Sequence, residues 1–191
     1  QVVIVPIYKG EEQFDSISQV AKELKRELQL LGISVKFDDR DTHKPGWKFN
    51  EYELKGVPLR IAIGPRDLEK RTVELARRDT LTKETVSKDD IVSRVQDLLV
   101  EMQKSLFDKA KSFRDTHITE VETYDEFKDI LENKTGFVSA FWDGTKETEE
   151  RIKTETKATI RCIPLNVKEE EGVCVYSGKP AKMRVLFAKA Y

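Results

Sequence analysis

Hydrophobic and polar positions along this chain switch repeatedly between two periods, and their order predicts two halves of different architecture. Gln1–Ile7 is an apolar, β-branched run suited to a buried strand. Phe14, Ile17, Val20, Ala21, Leu24, Leu28 and Leu31 then recur at helical spacing, which predicts an amphipathic helix over Phe14–Leu31 closed by Gly32. Ser34–Asp38 reads as a second strand, Asp39–Pro45 as a polar loop and Lys48–Lys55 as a short helix. Gly56-Val57-Pro58 breaks the pattern before a third strand, Leu59–Gly64. The order β-α-β-α-β calls for parallel strands with right-handed crossovers, hence a layered α/β domain. After a polar loop, Thr72–Arg78 alternates as an added edge strand would.

From Asp89 to about Arg114 apolar residues again fall on one helical face, with Ser87 placed as an N-cap and Asp89 and Asp90 in the first turn. The second half reads as helix Tyr124–Glu132, strand Gly136–Trp142 and helix Thr145–Thr156. Strands Ala158–Leu165, Val173–Tyr176 and Lys182–Ala190 follow, with Lys168–Gly172 as a hairpin-like loop and Ser177–Pro180 as a turn. Helices alternating with strands and ending in strands predict a small α+β domain with a largely antiparallel sheet. The expected domains are 1–104 and 105–191. No Gly/Ser-rich linker separates them, which argues for halves fixed relative to each other.

Composition narrows the function classes. Charged residues make up 36% of the chain yet leave a formal net charge of −1, which is not the global footprint of a nonspecific nucleic-acid binder. A local basic face is still available, because Arg60, Arg66, Lys70, Arg71, Arg77, Arg78 and Lys83 crowd one stretch. Taken alone, such a cluster is more often a solvated face than an RNA site. No run approaches the ~18 apolar residues of a membrane span, and no signal peptide is visible. The chain starts at Gln1 inside an apolar run, as a piece of a longer protein would. Two cysteines, Cys162 and Cys174, cannot build a disulfide framework and are expected to be reduced thiols.

Enzyme signatures are missing: there is no G-x-S-x-G, H-E-x-x-H, phosphate-binding loop or dinucleotide fingerprint. The two histidines, His43 and His117, lie far apart, and His43 falls in a polar loop where a histidine without a role is the commoner case. The densest information lies in PGWKFNEYELKGVPLRIAIGPRDLEK (45–70) and VELARRD (73–79), then in FWDGTKETEERIKTETKATIRCIP (141–164) and GVCVYSGKPAKMRVLFAKAY (172–191). In this order, these runs resemble the C-terminal part of prolyl-tRNA synthetases: an α/β anticodon-binding domain, a mixed sheet with flanking helices, followed by the small α+β C-terminal domain of the archaeal and eukaryotic-like type.

The resemblance implies a site. The family's anticodon contacts fall on Glu53, Arg60, Arg66 and Asp67, with Lys83 beyond the next loop. Proline anticodons end in two guanines. An arginine fork matches guanine O6 and N7, a carboxylate matches its N1–H and N2–H₂ edge, and a good bidentate contact discriminates by roughly 1–3 kcal/mol. The alternative for Glu53 and Arg60 is a surface ion pair worth ~0–1 kcal/mol. Phe49 is expected in the core, and Trp47 is left open between core and base stacking. The family's C-terminal domain often holds zinc through four cysteines. Here the corresponding positions read Asp143 and about Thr148, then Cys174 and Tyr176 or Ser177, and one thiolate of four cannot close a tetrahedral site. Cys162 is then most simply a buried small hydrophobe.

Further implications concern the parent: a cytoplasmic, class II, ATP-dependent proline–tRNA ligase, homodimeric through a catalytic domain that this stretch lacks. No cofactor is expected in the stretch itself, since ATP and Mg²⁺ belong to that catalytic domain. Its partners would be proline tRNA and the catalytic domain, toward which Tyr191 and its carboxylate would dock, and no membrane is involved. Two rival readings remain, a stand-alone RNA-binding or regulatory protein derived from such a synthetase and a metabolic α/β enzyme of similar architecture.

Overall fold

The computed structural model describes residues 1–165 and 170–189. The loop expected at Lys168–Gly172 falls partly outside them, and the terminal Tyr191, expected to dock, lies wholly outside. The chain divides into two compact units, Gln1–Phe107 and Asp108–Tyr191.

The first unit is built on β1 (Val2–Pro6), α1 (Glu11–Leu30), β2 (Val35–Phe37), α2 (Pro45–Leu54) and β3 (Leu59–Ile63). After these come α3 (Pro65–Lys70), β4 (Thr72–Arg77), β5 (Lys83–Ser87) and α4 (Ile91–Thr116), whose last turns run on into the second unit. The five strands form one sheet in the order β2-β1-β3-β4-β5, with the first three parallel and the last two antiparallel. β1 and β3 are buried at every position, which is why they read as unbroken apolar runs rather than alternating ones.

The two faces of the sheet are covered unequally. On one, Val2, Ile4, Leu59, Ile61, Ile63, Val73 and Leu75 pack against Ile17, Ala21, Leu24 and Leu28 of α1 and Ile91, Val95, Leu98 and Met102 of α4. On the other, among the described residues, Val3, Val5, Phe49, Tyr52 and Val57 make a small core beneath α2. Lateral pairing aligns Val3, Arg60, Ala76 and Lys83 on that second face. α2 therefore covers the parallel strands and leaves the polar face of β4 and β5 open.

Three expectations change here. The polar loop after Gly64 is the short helix α3, started by Pro65 and Asp67 and ended at Arg71, whose φ of 52° is left-handed. Thr72–Arg77 is not the edge strand, because β5 pairs outside it. With Val86 as its single large apolar residue, β5 offers no hydrophobic alternation to read. Ser87 closes β5, and its hydroxyl accepts the Asp89 N–H (3.2 Å) in a turn ahead of α4 instead of capping the helix.

The second unit holds β6 (Ile118–Glu120), α5 (Tyr124–Asn133), β7 (Phe137–Phe141), α6 (Lys146–Thr156), β8 (Ala158–Cys162) and β11 (Arg184–Lys189), with a small ribbon of β9 (Gly172–Val173) and β10 (Pro180–Ala181). Its main sheet runs β6-β7-β11-β8, antiparallel around β11 with β6 parallel to β7. The strand expected over Val173–Tyr176 shortens to β9, because Cys174 turns the chain by accepting the Gly178 N–H at its carbonyl. Helix α5 starts in a reciprocal cap, Thr123 taking the Glu126 N–H and Glu126 taking the Thr123 N–H. Gly136 has a φ of 121° and would place a Cβ 2.2 Å from the His117 carbonyl oxygen, so only glycine fits.

Candidate nucleic-acid interface

Helix α2 carries the site, and a buried polar network holds it in place. Asp38, at the end of β2, is fully buried and accepts hydrogen bonds from Arg40 Nε (2.8 Å), Arg40 Nη2 (2.7 Å) and Tyr52 OH (3.2 Å). Lys48 is 1% exposed and donates to the Asp38 carbonyl at 3.0 Å while its ammonium lies 3.8 Å from the Asp38 carboxylate. Arg40 also reaches Glu51, whose other oxygen takes Lys55. The hydrogen bonds from Arg40, helped by the Lys48 charge and opposed by burial, hold Asp38 at about 2. Burial, followed by the Asp38 charge, pushes the Tyr52 phenol up to about 12. Each of these groups would be costly to bury alone, and satisfied together they fix the helix to the loop before it.

Beside the open end of α2 lies a cleft lined by Phe49, Tyr52, Glu53, Val57, Pro58, Arg60, Ala76, Arg77 and Arg78. Arg60 rises from β3 into it. The side chain is buried, at 8% residue exposure, and its guanidinium carbon sits 3.5 Å from the centre of the Phe49 ring. Nη2 lies 3.7 Å from Glu74 Oε1, beyond hydrogen-bond reach. Nη1 is buried and, among the described residues, has no hydrogen-bond partner. Burial draws Arg60 below its ordinary guanidinium range, while Glu74 and Glu53 oppose the change. An arginine stays charged through a shift of that kind, so the cleft holds a desolvated cation with an unused donor.

Glu53 is exposed at the cleft rim, and its backbone carbonyl, not its carboxylate, takes Arg78 Nε at 2.8 Å. Glu53 and Arg60 thus line one cleft, with the Glu53 charge acting on the Arg60 guanidinium, a carboxylate and a guanidinium of the kinds that match guanine. The cleft itself, about 20 Å³, has room for about one water, so a base would lie across it rather than inside it.

The other residues implied by the resemblance fall in different places. Lys83 shares the open face and lies 3.3 Å from Glu74 Oε1. Arg66 is exposed on α3, and no ion pair is seen for it among the described residues. Asp67 accepts the Gly64 N–H at 2.8 Å as a helix cap, and it lines a separate hollow with Val20, Leu68, Arg71, Thr72, Val73 and Lys88. Arg77 is committed to Asp79 through two bonds and to Glu101 through a third. Trp47 is half-exposed and stacks on His43 with centroids 3.7 Å apart. Phe49, expected in the core, packs partly buried against the small core beneath α2 and also forms the platform for Arg60. Glu74, Asp38 and Lys48 escaped notice, because a charged residue within a strand or helix reads as solvated until its neighbours are known.

In the second unit, three of the positions that correspond to zinc ligands meet. Asp143 accepts bonds from the Thr145 N–H and hydroxyl, from Thr148 Oγ1 at 2.8 Å and from Ser177 Oγ at 2.7 Å. Burial works against its charge, yet the bonds from Ser177, Thr145 and Thr148 hold Asp143 at about 2. Cys174 is buried against Phe141, Ala181 and Tyr176, whereas Cys162, expected to be buried, is exposed at the end of β8, where the burial of the strand runs out. Two neutral hydroxyls, one saturated carboxylate and one thiol do not fit a closed zinc site, and no cluster of three or more His, Cys, Asp or Glu suited to a metal occurs among the described residues.

Comparison with known proteins places both units. Residues 1–98 match the anticodon binding domain family, and residues 124–191 match the family described as prolyl-tRNA synthetase, C-terminal. The chain belongs to the anticodon-binding domain family and, with its second unit, to the C-terminal part of the prolyl-tRNA synthetases. Across all 191 residues it is 63% identical to the proline–tRNA ligases of Christiangramia forsetii and Flavobacterium psychrophilum and 58% identical to that of Porphyromonas gingivalis. It spans 38–39% of the length of these relatives. Among the described residues no helix is long and apolar enough to cross a membrane.

Proposed function

We propose that the cleft between α2 and β3 binds a guanine of the proline tRNA anticodon, as the recognition arm of an ATP-dependent proline–tRNA ligase. Arg60 carries this reading: a buried guanidinium whose Nη1 has no hydrogen-bond partner among the described residues, backed by Phe49 and acted on by the Glu53 charge. Burying a donor without a partner costs about 1–3 kcal/mol, which a ligand acceptor would recover. Arg66, exposed on α3, supplies charge for the anticodon backbone, and Lys83 contributes its charge to the same face while paired with Glu74. Asp67 serves chiefly to shape the loop after β3, since Gly64 already occupies one of its oxygens.

The ligase chemistry, the ATP and Mg²⁺ it uses, a homodimeric catalytic domain, docking of Tyr191 onto that domain and a cytoplasmic location belong to the same proposal. They are supported by the identity to proline–tRNA ligases along the whole of this chain. A stand-alone synthetase-derived RNA binder would use the same cleft without that enzyme. The test is affinity for a proline anticodon stem-loop against versions with either guanine replaced. A preference of roughly tenfold or more is expected, and equal affinities would refute the assignment.

The second unit, in this proposal, holds its fold without zinc, with Asp143 and its hydroxyl donors in the metal's place. Elemental analysis after chelator washing is expected to find no stoichiometric zinc, and about one zinc per chain would overturn the point.

A further inference from the structure

Glu74 stands at the centre of the open sheet face. Register sets it opposite Ala62 of β3 and Thr85 of β5, two residues from Ala76 on β4. A single oxygen, Oε1, lies 3.3 Å from Lys83 Nζ and 3.7 Å from Arg60 Nη2. Glu74 therefore bridges a cation on each neighbouring strand, while its own side chain stays 38% exposed. Arg60 is attracted at one corner, Nη2, and unpaired at the other, Nη1.

We infer that Glu74 is a selectivity residue of this face: it orients the Arg60 guanidinium toward the base, and it occupies Arg60 and Lys83 so that they do not capture phosphate. The inference rests on the reading that a guanine binds here. Without Glu74, Arg60 and Lys83 would lose the carboxylate between them, beside a cleft that Arg78 and Glu53 also line. A guanidinium fork freed from its carboxylate suits a phosphate oxygen well, and phosphate contacts add affinity without base information. The 3.7 Å separation attracts Arg60 without forming a hydrogen bond, so the guanidinium is aimed without being saturated. Glu74 thus trades total affinity for discrimination, which suits a chain whose net charge is only −1.

The experiment measures fluorescence anisotropy of the 191-residue chain with two labelled stem-loops, one carrying the anticodon guanines and one carrying adenines, across a salt series. Glu74→Gln keeps the side chain's size at a half-exposed position. It is expected to bind the adenine loop roughly three- to tenfold tighter than the unaltered chain does, with a salt slope steeper by about 0.7–1.4, the value of one or two phosphate contacts to a single strand. The preference for guanine should shrink by a similar factor. In Glu74→Gln/Lys83→Gln the slope should return toward its original value while the preference stays reduced, because Arg60 remains unaimed. Slope and preference both unchanged in Glu74→Gln, in a chain whose Arg60→Met variant has lost the preference, would overturn the role of Glu74 and leave the anticodon reading standing. Full recovery of preference in the double variant would also overturn it, reducing Glu74 to a matter of net charge. An unaltered chain without guanine preference would overturn the anticodon reading and this inference together.

Discussion

Arg60→Met is expected to abolish the guanine preference while leaving the fold as stable as before or more stable. Two terms set the direction. Methionine keeps much of the volume and can remain on the Phe49 ring, where sulfur–aromatic contact is favourable. It also removes a buried charge whose Nη1 is unsatisfied, and exchanging buried ionic groups for apolar ones of similar size is often neutral or stabilising by about 1–4 kcal/mol. The RNA side of the balance loses a base contact worth about 1–3 kcal/mol, or roughly five- to 150-fold in discrimination. Stability and recognition should thus move in opposite directions, a pattern that a merely structural arginine would not give. Urea unfolding alongside stem-loop binding measures both. Arg60→Lys should keep the charge yet lose the preference, because a point charge lacks the planar fork. A methionine variant that still discriminates would remove Arg60 from the site.

Asp38→Asn should be the most destabilising single change in the first unit, by about 3–5 kcal/mol. It strands Lys48, which is 1% exposed, beside a neutral amide and leaves Arg40 only Glu51 of its two carboxylate partners. The same residue predicts an acid limb. Its folded pKa of about 2 lies below the ordinary value of 3.8, so its contribution is complete above pH ~4 and is lost as pH falls toward 2. A depression of that size corresponds to about 2 kcal/mol. Unfolding free energies of the first unit followed from about pH 5 to pH 2 should fall less steeply in Asp38→Asn than in the unaltered chain. The slope should not vanish, because Glu51 and Asp79 are also held low, Glu51 by hydrogen bonds from Lys55 and Arg40 and Asp79 by those from Arg77. Parallel pH profiles would show that Asp38 is not the charged centre of the network. Loss of stem-loop binding together with stability in this variant is expected too, since α2 carries Glu53 and Phe49.

Elements with many apolar residues in register were legible without coordinates. Helix α1 with its Gly32 terminus, the buried strands β1 and β3, and the helix beginning near Asp89 all repeat a hydrophobic signal over several turns or fill a strand completely. Short or polar elements were not. Helix α3 has six residues and no buried side chain, and β5 is stabilised by its ladder with β4 more than by any apolar face of its own. In such segments backbone pairing and neighbouring contacts outweigh intrinsic preference, and those contacts come from residues distant in sequence.

The candidate site divides along the same line. Local sequence determined that Glu53, Arg60, Arg66, Asp67 and Lys83 fall near one stretch, and the resemblance of that stretch to a known family assigned them a common purpose. Tertiary structure alone decided which of them share a surface. Strand pairing aligns Arg60, Ala76 and Lys83 side by side and puts Glu74 between the two cations, whereas the capping bond from Gly64 turns Asp67 to another hollow. It also decided that Lys48 and Asp38, ordinary charged residues in the sequence, are buried together, because the sheet and α2 close over them and leave each the other's best partner. A residue's type and spacing specify what it can bond; its burial, and therefore the worth of that bond, depends on chain segments that only the fold brings near.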